Sequence, residues 1–255
     1  MAATDYSLRS ITTDAFAAAV AASAPLVILL PVGSVEPHGP HLSLLTDTII
    51  SDACAQLAAQ RLAEQGTTAF IAPAVPFGVT ECAAGFQGAI SVPGRILSPY
   101  LAAVVRGFLD NGADHVCLVN NHLEPDHYQA VLDAAKDFAP GECSVACPLN
   151  RRWGRTLSDE FKRGECHAGR YETALVLAAA PDGVKRDVQA GLPEVAISLS
   201  DSLKAGKKHF TEMGLASAYA GAPALATEAE GRELLDRLAT MVVTEVTDAL
   251  QGRAA

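Results

Sequence analysis

The sequence predicts an α/β fold, a three-layer α/β/α sandwich around a mainly parallel sheet. Leu26–Val32 (LVILLPV) and Val116–Val119 (VCLV) are continuous apolar runs of strand length, the pattern of strands buried on both faces. Helical periodicity follows each run, and a repeated strand-then-helix order builds layered α/β domains.

The apolar stretch from Ala15 to Val32 resembles a membrane span in length, but Ser23 and Pro25 split it and basic flanks are missing. It reads as a helix, a break and a strand. Asp5 and Asp14 beside Arg9 also argue against the positive start of a secretory leader. Asp47 to Glu64 places Ile49, Ile50, Ala53, Cys54, Leu57 and Leu62 at helical spacing. A strand over Ala69–Ala74 follows the turn at Gly66. A helix over Ser98–Asn111 carries Leu101, Val104, Val105 and Phe108, and another spans Pro125–Phe138. Cys143–Cys147, after Gly141, completes at least four strand–helix units.

Gly183 to Pro223 has little periodicity and is read as an irregular excursion, suited to a lid or an oligomer contact. The last helix is signalled by Thr227 with Glu230 as a capping box, and by the stripe Leu234, Leu235, Leu238, Met241, Val242 and Val246. Residues 1–255 are expected to form one domain.

The 255 residues are 49% hydrophobic and 19% charged, and 29 acidic against 19 basic residues give a net charge of -10. A nucleic-acid-binding face needs the opposite balance, so no nucleic acid and no membrane partner is expected. Six cysteines without a C-x-x-C pair read as reduced thiols in the cytoplasm.

The chemistry concentrates past two strand ends. In Gly33-Ser34-Val35-Glu36-Pro37-His38 an extended chain alternates faces, so Glu36 and His38 project together. Asp47 follows at the start of a helix, where it also suits a plain cap. Asn120-Asn121-His122-Leu123-Glu124 repeats the His and Glu pairing at the edge where open α/β sheets bind ligands. Two imidazoles and three carboxylates suit a pair of divalent ions bridged by a carboxylate.

GSVEPHGPH, TDT, NNHLEP and HAGRYETALVL resemble the signatures of the creatininase (creatinine amidohydrolase) family over about Pro31 to Ala179. The resemblance implies that Glu36 and His122 bind one ion, that His38 and Glu124 bind the other, and that Asp47 bridges. It implies zinc or manganese, a homo-oligomer (a hexamer), and Trp153 near the substrate. His167 becomes the acid and base of the reaction, with Glu172 orienting or charging it, and Glu124 joins them as a catalytic group. Pro125 stands where Asn is usual, Cys82 where His is frequent, and Gln87-Gly88-Ala89 replaces Pro-Gly-Thr.

The expected activity is hydrolysis of a carbon–nitrogen bond in a small, cyclic amide. The two ions would activate water against the carbonyl, and His167 would protonate the departing nitrogen. A formamide deformylase and a peptide-trimming hydrolase are the alternatives within the family. A metal-binding protein without catalysis is the rival outside it. Arg151 and Arg152 are candidates for a substrate carboxylate.

Overall fold

The computed structural model describes residues 6–253; positions 1–5 and 254–255 of the expected domain lie outside the described residues. In chain order, α1 (Thr13–Ala21) leads into β1 (Leu26–Val32), then α2 (Thr46–Glu64) and β2 (Thr68–Ile71). Next come α3 (Gly94–Asp110), β3 (His115–Asn120), α4 (Pro125–Ala135) and β4 (Cys143–Ala146). Past β4 lie α5 (Arg151–Gly154), α6 (Asp159–Arg163) and α7 (Arg170–Ala179). The short helices α8 (Arg186–Gln189), α9 (Leu199–Lys204) and α10 (Phe210–Met213) precede the long α11 (Glu228–Arg253).

The four strands pair in parallel in the order β2-β1-β3-β4. All seven residues of β1 are buried, which is why the run carries no polar alternation. Val27 and Leu29 face a layer made by α2, α7 and α11, while Ile28, Leu30 and Val32 face α3 and α4. The sandwich therefore has the three expected layers. α11 approaches α7 so closely that a Cβ on Gly231 would lie 1.8 Å from the Ala174 carbonyl oxygen.

Differences from the sequence reading have local causes. α3 begins at Gly94 and runs through Pro99, because burial of Leu97, Leu101 and Val105 along one face outweighs the bond that a proline cannot donate. α4 ends three residues before Phe138. Only half of the capping box forms: Thr227 Oγ1 accepts from the Glu230 amide at 3.2 Å, but the Glu230 carboxylate turns to Arg170 at 2.7 Å.

The 183–223 segment is pinned rather than loose. Phe210, Met213, Leu215, Ala218 and Ala220 form a small core with Cys82 and Ala83, and an antiparallel bridge joins Val195 to Gly221. Glu160 ties it further, accepting from the Tyr171 and Ala222 amides, each at 2.9 Å. No helix of the described residues is long and apolar enough to cross a membrane, and all six cysteines are free thiols.

Candidate metal centre

The sheet register assembles the site. Val32, the last residue of β1, pairs with Asn120, the last of β3, so the two tails leave the sheet side by side. The connection after β1 goes to one helical layer and that after β3 to the other, the switch point at which such sheets open a crevice. Gly33 passes so close to α2 that a Cβ would meet Thr48 Oγ1 at 2.7 Å. Asp47 sits in the first turn of α2, beside both tails.

Glu36, His38, Asp47, His122, Glu124, His167 and Glu172 are each at most 6% exposed. His38 Nε2 lies 3.2 Å from Asp47 Oδ1 and 3.4 Å from Glu172 Oε2. His122 Nδ1 lies 3.0 Å from Asp47 Oδ2 and 3.3 Å from Glu36 Oε1. Two groups of potential ligands result, Glu36/Asp47/His122 and His38/Asp47/Glu172, with Asp47 common to both; Glu36, His38 and His167 form a third.

Each imidazole is oriented by the backbone. His38 Nδ1 donates to the Glu36 carbonyl at 3.1 Å, His122 Nε2 to the Val79 carbonyl at 2.7 Å, and His167 Nε2 to the Pro37 carbonyl at 3.0 Å. A carbonyl only accepts, so in the neutral form each ring turns its other nitrogen, a lone pair, toward the carboxylates. Acceptors face acceptors: His38 Nε2 and both Asp47 oxygens are buried without a hydrogen bond. Such an arrangement is satisfied by positive charge, which a bound metal cation supplies.

The electrostatics agree. Burial opposes a charge on His38, yet Asp47, Glu172 and Glu36 together hold its pKa up at about 10. His122 moves well up for the same reason, against its own burial. Burial also opposes ionisation of Glu36, but His122 draws it down to about 2. Burial raises Glu172 to about 8, and burial together with the His38 charge lowers His167 to about 4.

Residues outside the expected set hold the centre in place. Thr80 Oγ1 donates to Glu36 Oε2. Asn120 clamps the backbone of His122, accepting its N–H at 3.2 Å and donating to its carbonyl at 2.9 Å. His127 supports Asn120 through Nε2 at 3.0 Å and accepts the Val79 amide at 3.2 Å. Gly78 leaves room for it, since a Cβ there would lie 2.4 Å from His127 Nδ1. His127 lies in a helical turn after Pro125, where spacing alone marks it only as a buried face.

Two of the expected residues lie apart from the groups around Asp47. Glu124 is not part of either group around Asp47; its two oxygens accept the Glu81 and Cys82 amides, each at 3.0 Å. Glu172 lies beside His38 and Asp47, with Oε2 also accepting the Ala168 amide at 2.6 Å. That amide is aimed by a left-handed backbone at Ala168, φ 49°, a conformation costly for a residue with a Cβ. Trp153 is not among the residues that line the crevice at this centre. Its indole is buried in the α11 side of the core and donates to Glu245 Oε1 at 2.6 Å. Arg152 stacks over that ring and pairs with Asp248 at 3.0 Å, which takes it away from the crevice.

A cavity of about 670 Å³ opens above the centre, with Glu36, His122, Glu124 and His167 at its floor. α9 and α10 supply one wall through Leu199, Leu203, Phe210 and Met213, which is where the 183–223 excursion acts. His167 stacks between His38 and Phe210, with ring centroids 4.5 and 4.4 Å away, and keeps Nδ1 3.7 Å from Glu36 Oε1.

Residues 9–246 match the family described as creatininase, creatinine amidohydrolase. The mycofactocin precursor peptide peptidase of Mycobacterium tuberculosis (strain ATCC 25618 / H37Rv) is 31% identical over 222 residues, covering 81% of this chain and 79% of that protein. The creatinine amidohydrolase of Pseudomonas putida is 29% identical over 187 residues, 65% of this chain and 69% of that one. A solved structure titled creatininase Mn superposes with a TM-score of 0.69 at 20% identity, covering 96% of this chain and 98% of that one.

Proposed function

The chain belongs to the creatininase family of metal-dependent hydrolases acting on carbon–nitrogen bonds, and from that premise we propose that it hydrolyses an amide at a centre of two divalent cations. The observation that carries this reading is the buried set of acceptors facing acceptors around Asp47. Glu36, Asp47 and His122 would hold one ion and His38, Asp47 and Glu172 the other. Mixed nitrogen and oxygen donors suit zinc or manganese. When bound, such ions supply Lewis acidity, polarising a carbonyl and making water more acidic.

The protein's own groups supply the rest. His167 presents Nδ1 to the cavity floor as a lone pair, so it accepts a proton there and returns it to the departing nitrogen, which must leave as an amine. Phe210 covers its ring and restricts water. Glu124, held by two amides and shifted upward by burial, lines the same floor as a second group able to carry a proton.

The volume bears on the substrate. A cavity of about 670 Å³ is of the size that accepts drug-sized ligands, far more than one small ring requires. That favours a peptide-like amide, as the name of the mycobacterial relative also suggests, over the cyclic amide or formamide. Residues 1–255 are read as one catalytic domain, because the two strand tails, the α5–α6 region and the 183–223 segment line the same cavity. Assembly as a homo-oligomer, a hexamer in the family pattern, is supported by exposed Leu44, Leu45, Phe77, Ile90, Ile96 and Tyr100. Free thiols suit a cytoplasmic location.

The test is metal analysis followed by a metal-replete screen against short peptides, cyclic amides and formamides. The reading expects close to two divalent ions per chain and turnover in one of these classes. Chelation that lowers the melting temperature, in a protein that turns over no amide, would favour a non-catalytic metal protein instead.

A further inference from the structure

The cavity is electrically two-ended. Its charged lining at the floor is Glu36 and Glu124, both buried, whereas at the rim it is Arg151, Arg155, Lys162 and Lys204, all exposed. Acidic residues outnumber basic ones 29 to 19 in the chain, yet no carboxylate lines the rim. The lysines already have partners, Lys162 with Asp159 at 3.0 Å and Lys204 with Asp201 at 2.9 Å. Among the described residues, Arg151 and Arg155 have neither an ion pair nor a side-chain hydrogen bond.

They are also placed to act together. Arg151 opens α5, and Arg155, its C-cap, keeps helical angles (φ -67°, ψ -21°), so the two stand one turn apart on one side. Arg152 between them points elsewhere, to Asp248 and the Trp153 ring. Between floor and rim the walls are apolar, and Ser200 carries the only hydroxyl among the lining side chains.

We infer that Arg151 and Arg155 form a carboxylate subsite, so that the amide cleaved at the floor has an apolar body and a free carboxylate at its far end. Guanidinium groups bind carboxylates through paired, charge-assisted hydrogen bonds. A sugar phosphate would meet the same charges but leave its hydroxyls facing Leu149, Phe161 and Leu199 without partners. The inference rests on this cavity being the substrate site proposed above.

The test uses the metal-loaded full chain with three probes: acetyl-Ala-Leu-Leu with a free carboxylate, its C-terminal amide, and ribose 5-phosphate. Binding is measured by calorimetry and hydrolysis by product analysis. The acid should bind about 10- to 100-fold more tightly than the amide, as expected for charged hydrogen bonds. Added salt should narrow the difference. Arg151→Gln with Arg155→Gln should bring the ratio near one, while Arg152→Gln should preserve it.

Equal affinity for acid and amide in the wild type, or a preference that survives the double substitution, would overturn the subsite. Tighter binding of ribose 5-phosphate than of the peptide acid would overturn the choice of a carboxylate on an apolar body. Arginine-dependent binding without cleavage of any amide supports the subsite and sinks the hydrolytic reading. Cleavage of peptides with no preference for the acid does the reverse.

Discussion

The floor of the cavity and its rim differ in how the fold holds them. At the floor, Glu36, His38, Asp47 and His122 sit on two strand tails and one helix start, and three imidazoles are each fixed by a backbone carbonyl. At the rim, Arg151 and Arg155 lie exposed on a helix of four residues. The difference separates chemistry from selection. Groups that must sit within a few tenths of an ångström of one another belong on rigid elements, whereas groups that choose among substrates work from short surface segments.

Breaking the floor should therefore have the largest effect. Asp47→Ala removes the residue common to both ligand groups, and the expected outcome is loss of both ions and of turnover beyond detection, read by metal analysis and assay. A variant that kept two ions would end the bridging assignment. Within the floor, Glu172→Gln should release one of the two ions and Glu124→Gln neither, because the Glu124 oxygens already serve two amides. The opposite pattern would restore Glu124 as a ligand. His167→Ala should retain its metal and lose about 100- to 10,000-fold in rate, the range for a general acid. Full turnover in that variant would refute its role.

Trp153→Phe probes the boundary between floor and rim, and its effect should be the smallest. It deletes the hydrogen bond to Glu245 and costs about 1 kcal/mol of stability. In a chain of this size that lowers the melting temperature by roughly 2–4 °C. Turnover should hardly change, and a large loss in KM or kcat would return the indole to the substrate site.

The elements that carry the chemistry were legible because they depend on local pattern. LVILLPV and VCLV mark buried strands, helical stripes mark the layers, and alternation pairs Glu36 with His38, which do meet 3.7 Å apart. Alternation did not bring Glu124 into either group around Asp47. β3 stops at Asn120, Asn120 then clamps His122, and Glu124 is already the N-cap of α4.

Sequence by itself determined the three-layer sheet fold and the family, and it pointed to four of the five residues in the two groups around Asp47. Only the tertiary structure brings the fifth, Glu172, beside His38 and Asp47 as well as near His167. It comes from a helix 125 positions beyond Asp47, and the packing of α7 against α2 together with the strained backbone at Ala168 delivers its carboxylate. Likewise the pairing of Arg152 with Asp248, and the burial of Trp153, follow from where α11 packs over α5. Contacts between segments so far apart in the chain leave no period in the sequence to read.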